Sequence, residues 1–246
     1  MRAKGLSIVA TATMIVNNMP RIVGQLGARH GHLGGAVRER IEGLVLTGAI
    51  PAGGRVNELQ LARQLKVSRG VVREALRALE HAGLLEAIPN RGVFVRKVSL
   101  EDALQLYDIR AGLAAVAGQL LARRATRTQI ALLRAIYARM ERARNARDAT
   151  RFYAANLLFH SQIIEFAGNP RLLAMSEAVR NELQLYLRDA VIGPAQLKAS
   201  QAEHKALLDA ISNGDSERAG RAFGAHILAG KQRMLDYLGG QAPAAA

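Results

Sequence analysis

Three histidines in the C-terminal half, His160, His204 and His226, are the residues best suited to chemistry in this cysteine-free chain of 246 residues. Each falls on or beside an apolar lane of a helical pattern, so an inward direction is open to all three. Three neutral imidazoles meeting in one cavity would hold a divalent cation at about 2.0–2.1 Å. Asn156 lies four residues before His160 and projects from the same helix face. Spacing alone leaves a second reading open, in which these are ordinary core or surface histidines. A metal centre with a free position also activates water, which makes a metal-dependent enzyme one rival. Against that rival, no general base is evident: Glu203 adjoins His204 but points about 100° away from it on a helix.

A second group of residues is basic. Arg69, Arg73 and Arg77 recur every four residues and share a helix face, while Val72, Ala75, Leu76 and Leu79 form the opposite, apolar one. Upstream, Asn57 reads as the cap of a short helix through Leu59, Leu61, Ala62 and Leu65, with Gln60 reaching back in a capping box. Lys66 and Val67 form the turn, and Ser68 caps the arginine-bearing helix. A short helix, a tight turn and a second helix with a basic outer face is the layout of a helix-turn-helix, which places double-stranded DNA first among partners. Arg63 and Arg77 suit phosphate or solvent equally well, and Glu74 and Glu80 are expected to hold neighbouring arginines.

The charge agrees with this. The formal net charge is +14, and residues 1–97 carry 15 Lys/Arg against 6 Asp/Glu, so the reading end is the more basic. Charge alone would also suit an architectural DNA-binding protein, a further rival, whose binding would be sequence-independent and steeply salt-dependent. Without cysteine there are no disulfides or thiolate metal sites, in keeping with a reducing, cytoplasmic setting. Arg2 and Lys4 precede a small-apolar run from Leu6 to Val16 that is too short to span a bilayer. Residues 1–32 are therefore expected to be a disordered basic extension, with no membrane association.

These groups need elements to position them. Leu33, Val37, Ile41, Leu44 and Val45 recur at helical spacing, and Gly48 and Pro51 stop that helix. After Gly83, residues 84–88 have strand character, residues 89–92 form a turn and residues 93–95 return, making a wing with Arg91 and Gly92 at its tip. From Ser99 the pattern is helical throughout, with helices near 99–124, 127–146, 148–167, 171–191, 196–213 and 215–238. The expected fold is mainly α: an N-terminal winged helix-turn-helix over 33–98, then an all-helical antiparallel bundle of six or seven helices over 99–238. A disordered tail over 239–246 is expected to follow.

Residues 67–69, 72–76, Leu79, Gly83-Leu84 and the 91–95 wing resemble the winged-helix domain of the GntR family of bacterial transcription regulators. Phe159-His160, Glu203-His204, residues 208–215 and His226 resemble the helical FCD effector domain of its FadR-type subfamily. The resemblance implies a ligand-responsive regulator, not an enzyme, that binds a palindromic operator as a homodimer, with repression relieved by a small organic acid. It implies DNA contacts from Ser68, Arg69, Arg73, Arg91 and Gly92. It further implies an effector site of Arg110, Asn156, His160, His204 and His226, the last four also holding a divalent metal. Gly70-Val71 stands where the family often has Thr-Pro, and Ala114 where it frequently has glutamate. The family's aspartate is here Asn156, which offers a carbonyl oxygen without charge and so favours zinc or nickel over manganese.

Overall fold

The computed structural model describes residues 29–187 and 194–239. Of the extension expected over 1–32 and the tail expected over 239–246, residues 1–28 and 240–246 lie outside the described residues. Helix α1 (Arg29–Leu46) starts four residues before the expected position, so residues 29–32 belong to it rather than to an extension. No proline interrupts the helix there. Val37, Ile41 and Val45 point into a core, whereas Leu33, expected on the same lane, is 52% exposed beyond the edge of that core.

Two short helices follow, α2 (Glu58–Leu65) and α3 (Arg69–His81). Asn57 caps α2 by accepting from the Gln60 amide at 3.0 Å. Among the described residues, the reciprocal bond from the Gln60 side chain is not seen, so the expected capping box is half-formed. Lys66 ends α2 in the left-handed region at φ 55°, and Ser68 caps α3 through the Val71 amide at 3.4 Å. Val72, Ala75, Leu76 and Leu79 of α3 are buried, as the period-3.6 pattern requires. Strands β1 (Leu85–Ile88) and β2 (Gly92–Val95) pair antiparallel in the register Leu85↔Val95 to Ile88↔Gly92. An isolated bridge between Arg55 and Phe94, unread in the sequence, ties residues 53–56 to the far side of β2.

The C-terminal part is a bundle of six described helices: α4 (Leu100–Arg124), α5 (Arg127–Asn145), α6 (Ala149–Phe166), α7 (Pro170–Leu187), α8 (Pro194–Ser212) and α9 (Ser216–Gly239). Local chemistry sets their ends. Ser99 with Asp102 and Thr126 with Gln129 form complete capping boxes on α4 and α5. The Asp148 and Asp215 carboxylates cap α6 and α9. Gly168 and Gly214 sit at positive φ in the turns between helices. Phe152, Phe159, Leu121, Leu133, Ile163 and Phe223 are buried completely or nearly so, and each such side chain contributes roughly 1.5–3 kcal/mol relative to exposure. Helices α4 and α9 pack most extensively, and Gly118 permits their approach: a Cβ there would lie 2.7 Å from the Ala219 carbonyl oxygen.

One helix of the bundle reaches the winged-helix part. From α7, Asn181 donates to the Ala82 carbonyl at 3.2 Å and Glu182 pairs with Arg96 at 2.8 Å. Leu185 is buried in the N-terminal core. Gly83 meets this helix at φ 77°, where a Cβ would come 2.9 Å from the Glu182 side chain. The flexible glutamate can give way, so the left-handed backbone dominates the cost of a substitution. Gly83→Ala is expected to lower unfolding free energy by about 1–2 kcal/mol in urea titration. An unchanged midpoint would show that this turn tolerates a side chain.

Candidate functional site

Five helices of the bundle, α4, α6, α7, α8 and α9, line one cavity of about 110 Å³. Helix α4 contributes Tyr107 and Arg110, three residues and hence nearly one turn apart; α6 contributes Tyr153, Asn156 and His160 along one face. Helix α9 contributes His226 and, seven residues on, Arg233. His204 of α8 completes the cluster beneath. The three histidines expected from the sequence are thus brought together: all are buried, and one ligand atom from each lies within 4.8 Å of the others.

The rings are in direct contact. His160 Nε2 and His204 Nε2 are 2.9 Å apart, and the ring centroids of His204 and His226 are separated by 4.3 Å. Phe159 packs edge-on against His204 and Phe223 tilts against His160, closing the apolar side. Burial, reinforced by the neighbouring imidazoles and guanidinium groups, holds His160 and His204 well below the ordinary histidine value. Burial likewise lowers His226, although Glu203 opposes it. The cluster is therefore neutral, the form in which imidazole binds a cation. Asn156 Oδ1 and His204 Nδ1 are buried without a partner among the described residues, and such atoms are costly until paired. Three neutral imidazoles and an amide oxygen fit a divalent cation.

Two features were not read from the sequence. Glu203 does turn away from His204, but its carboxylate accepts from His226 Nδ1 at 2.7 Å. It also receives both arms of Arg233, at 2.9 and 3.0 Å. Burial pushes the Glu203 carboxyl up, yet the bonds from His226 and Arg233 outweigh it and hold the group at about 2. The seven-residue step from His226 to Arg233, two helical turns, was the available signal. Among the described residues, no carboxylate pairs with Arg110, and its Nη2 lies 3.4 Å from His160 Nδ1.

In the winged-helix part, Arg69 opens α3, solvent-exposed, beside the Ser68 cap. Arg73 is also exposed but pairs with Glu58 of α2 at 3.1 Å, an arrangement the sequence did not suggest. A pair this exposed contributes about 0–1 kcal/mol and does not hold Arg73 from another partner. Glu80 was expected to hold an arginine; its carboxylate instead accepts the Ala87 amide at 3.3 Å, tying α3 to β1. Arg91 stands exposed at the wing tip with its guanidinium 5.8 Å from the Phe94 ring, next to Gly92 at φ 106°.

Residues 33–95 match the family model described as bacterial regulatory proteins, gntR family, and residues 105–229 match the FCD domain. The chain belongs to the GntR family and carries an FCD domain. A probable D-xylose utilization operon transcriptional repressor of Paenarthrobacter nicotinovorans is 31% identical over 78% of this chain and 84% of that one. The galactonate operon transcriptional repressor of Escherichia coli is 25% identical over 91% and 99%. The solved structure of E. coli McbR/YncC superimposes with a TM-score of 0.69 at 25% identity, over 83% of this chain and 97% of that one. This GntR protein is a DNA-binding transcriptional regulator with a ligand-binding C-terminal domain, not an enzyme. Among the described residues, no helix is long and apolar enough to cross a membrane.

The neutral cluster has a consequence for pH. The unfolded chain takes up protons on these imidazoles below their ordinary value of 6.5, and the folded chain does not. Stability is therefore full above 6.5 and declines as pH falls below it, because the unfolded state then binds more protons. Glu203 weakens the fold only later, as pH falls from 4.5 toward 2. Melting temperatures are expected to fall steadily between about pH 7 and about pH 5 in metal-free buffer; a flat profile would mean that the rings protonate freely in the folded protein.

Proposed function

We propose that this GntR regulator is a repressor that binds a palindromic operator as a homodimer and releases it when a small carboxylate enters the bundle cavity. The observation that carries the reading is the convergence of Arg110 and three buried, neutral histidines on one cavity of about 110 Å³. A guanidinium group with no carboxylate partner among the described residues is a ready receptor for an organic acid. One relative is named for the operon of galactonate, itself a carboxylate. A divalent ion held by Asn156, His160, His204 and His226, with zinc or nickel suited to the nitrogen-rich set, would add a second electrophilic pole for that acid.

Residues 33–98 would supply the DNA contacts and 99–238 the effector and dimer contacts. Arg69, at the α3 N-terminus, is placed to reach guanine O6 and N7 with both arms. Arg73, Ser68 and the Arg91-Gly92 tip would add base or phosphate contacts. Homodimerisation is supported by an exposed apolar face on α4, where Ile109 and Val116 lie two turns apart, with Leu228 of α9 also exposed. Two-fold pairing of winged helices would match two half-sites related by symmetry. The effector must bind the released and DNA-bound arrangements with different affinity, or nothing shifts.

A thermal-shift screen of small carboxylates, with and without chelator, tests the effector reading. An acid at about a hundred times its dissociation constant stabilises the fold by roughly 2.7 kcal/mol, and a hit of that size is the expected result. The absence of any response across the acids would overturn it. Arg69→Ala is expected to cost about 1–3 kcal/mol at one operator base pair and relax specificity there. Equal weakening on every sequence, measured by fluorescence anisotropy, would make Arg69 a phosphate contact instead.

A further inference from the structure

A second cavity, of about 490 Å³, lies across α6 from the first. Tyr153, Asn156 and His160 line the effector cavity, whereas Arg151, Ala154 and Ala155 of the same helix line this one. Successive residues turn by about 100° around a helix axis, so the two sets occupy opposite faces. The facing wall comes from α5, which contributes Arg139, Arg142 and Ala143, and from Ala146 at its C-terminal cap. The volume falls within the range of roughly 300–1,000 Å³ typical of small-ligand sites.

The chemistry of this groove is segregated. Its four alanines offer only methyl groups, and three of them, Ala143, Ala154 and Ala155, are buried beneath the surface. The three arginines are exposed above them. Arg139 and Arg142, three residues apart, share one face of α5. Among the described residues, neither of their guanidinium groups has a carboxylate or hydrogen-bonding partner. Arg151 differs, because Asp148 holds its Nε at 3.3 Å and caps α6 through its amide at 2.9 Å. The lining side chains therefore carry three positive charges and one negative, a net of +2, with the uncompensated pair on α5.

Like charges side by side repel, and an anion seated between them accepts from both. A phosphate monoester matches this pair: near neutral pH it carries close to two negative charges on three acceptor oxygens. The alanine floor selects what the phosphate is attached to. It gives no side-chain partner to the hydroxyl array of a sugar, but it is an apolar bed for a flat ring, and guanidinium planes stack on aromatic faces. We infer that the groove between α5 and α6 binds a nucleoside monophosphate, its phosphate between Arg139 and Arg142 and its base against the alanines. This site is separate from the effector cavity and does not depend on what fills that cavity.

The experiment is isothermal titration calorimetry of the full-length protein with the 5′-monophosphates of adenosine, guanosine, cytidine and uridine. Inorganic phosphate and the four free nucleosides serve as comparisons. At least one nucleotide is expected to bind more tightly than about 1 mM, and about tenfold or more above both inorganic phosphate and its own nucleoside. Arg139→Ala and Arg142→Ala, both at exposed positions, are each expected to weaken that nucleotide about tenfold or more. Arg144→Ala, on the same helix but paired with Glu141, is expected to leave it unchanged. Ala146→Phe, also at an exposed position, fills the groove and is expected to reduce the nucleotide to the affinity of inorganic phosphate. Failure of all four nucleotides to bind would overturn the inference, as would arginine variants or Ala146→Phe that bind nucleotide like wild type. If no nucleotide binds and both arginine variants weaken every DNA duplex equally, the groove is a backbone-contacting surface for nucleic acid and the inference is again overturned.

Discussion

The interior of the bundle accommodates three touching imidazole rings only because they stay uncharged. Their neighbours enforce this: Phe159 and Phe223 exclude water, and two guanidinium groups oppose any further positive charge. The Glu203 carboxylate is committed to His226 and Arg233 rather than to a proton. Helices α4, α6, α8 and α9 each surrender part of an apolar face to this cluster, and their remaining contacts, above all the close approach of α4 and α9 at Gly118, must hold it in place. A polar core of this kind contributes little stability by itself. It confers a definite geometry on a cavity that a purely apolar interior would have filled.

That geometry lies close to the DNA-reading part. Helix α7 lays Leu183 into the bundle core, Leu185 into the winged-helix core and Leu187 against the cavity, all within two turns. Its Asn181 and Glu182 hold Ala82, at the C-terminal end of α3, and Arg96, just past β2. One rigid element thus touches the cavity, the end of the recognition helix and the base of the wing. A small displacement of α7 changes contacts at all three places together, because packed interfaces move between discrete arrangements rather than deforming smoothly.

Much of this was legible in the sequence where the causes are local. Asn57, Ser68 and Ser99 mark helix starts through their own side chains, and the apolar lane of α3 is buried as its spacing requires. The histidines were less legible. His160, His204 and His226 come from three helices separated by long stretches of chain, and spacing could not say that they meet; the family resemblance suggested it and the packing of α6, α8 and α9 brings it about. Glu203 was misjudged because its angle was measured from His204 on its own helix, whereas its partners stand on α9. Arg73 with Glu58, Glu80 with the Ala87 amide and the Arg55 bridge to Phe94 were likewise invisible, since each joins elements whose relative placement only the tertiary fold determines.

Leu185 gives the architecture a further property. It fills a place in the N-terminal core that no residue of the winged helix itself occupies. Severed from the bundle, that part would present an apolar hollow to water beside an unpaired Ala82 carbonyl and an unmatched Arg96. The winged helix is thus finished by its neighbour, as an arch is by a keystone borrowed from the next wall. Any domain standing in for the bundle beside this winged helix would have to bring its own plug for that hollow.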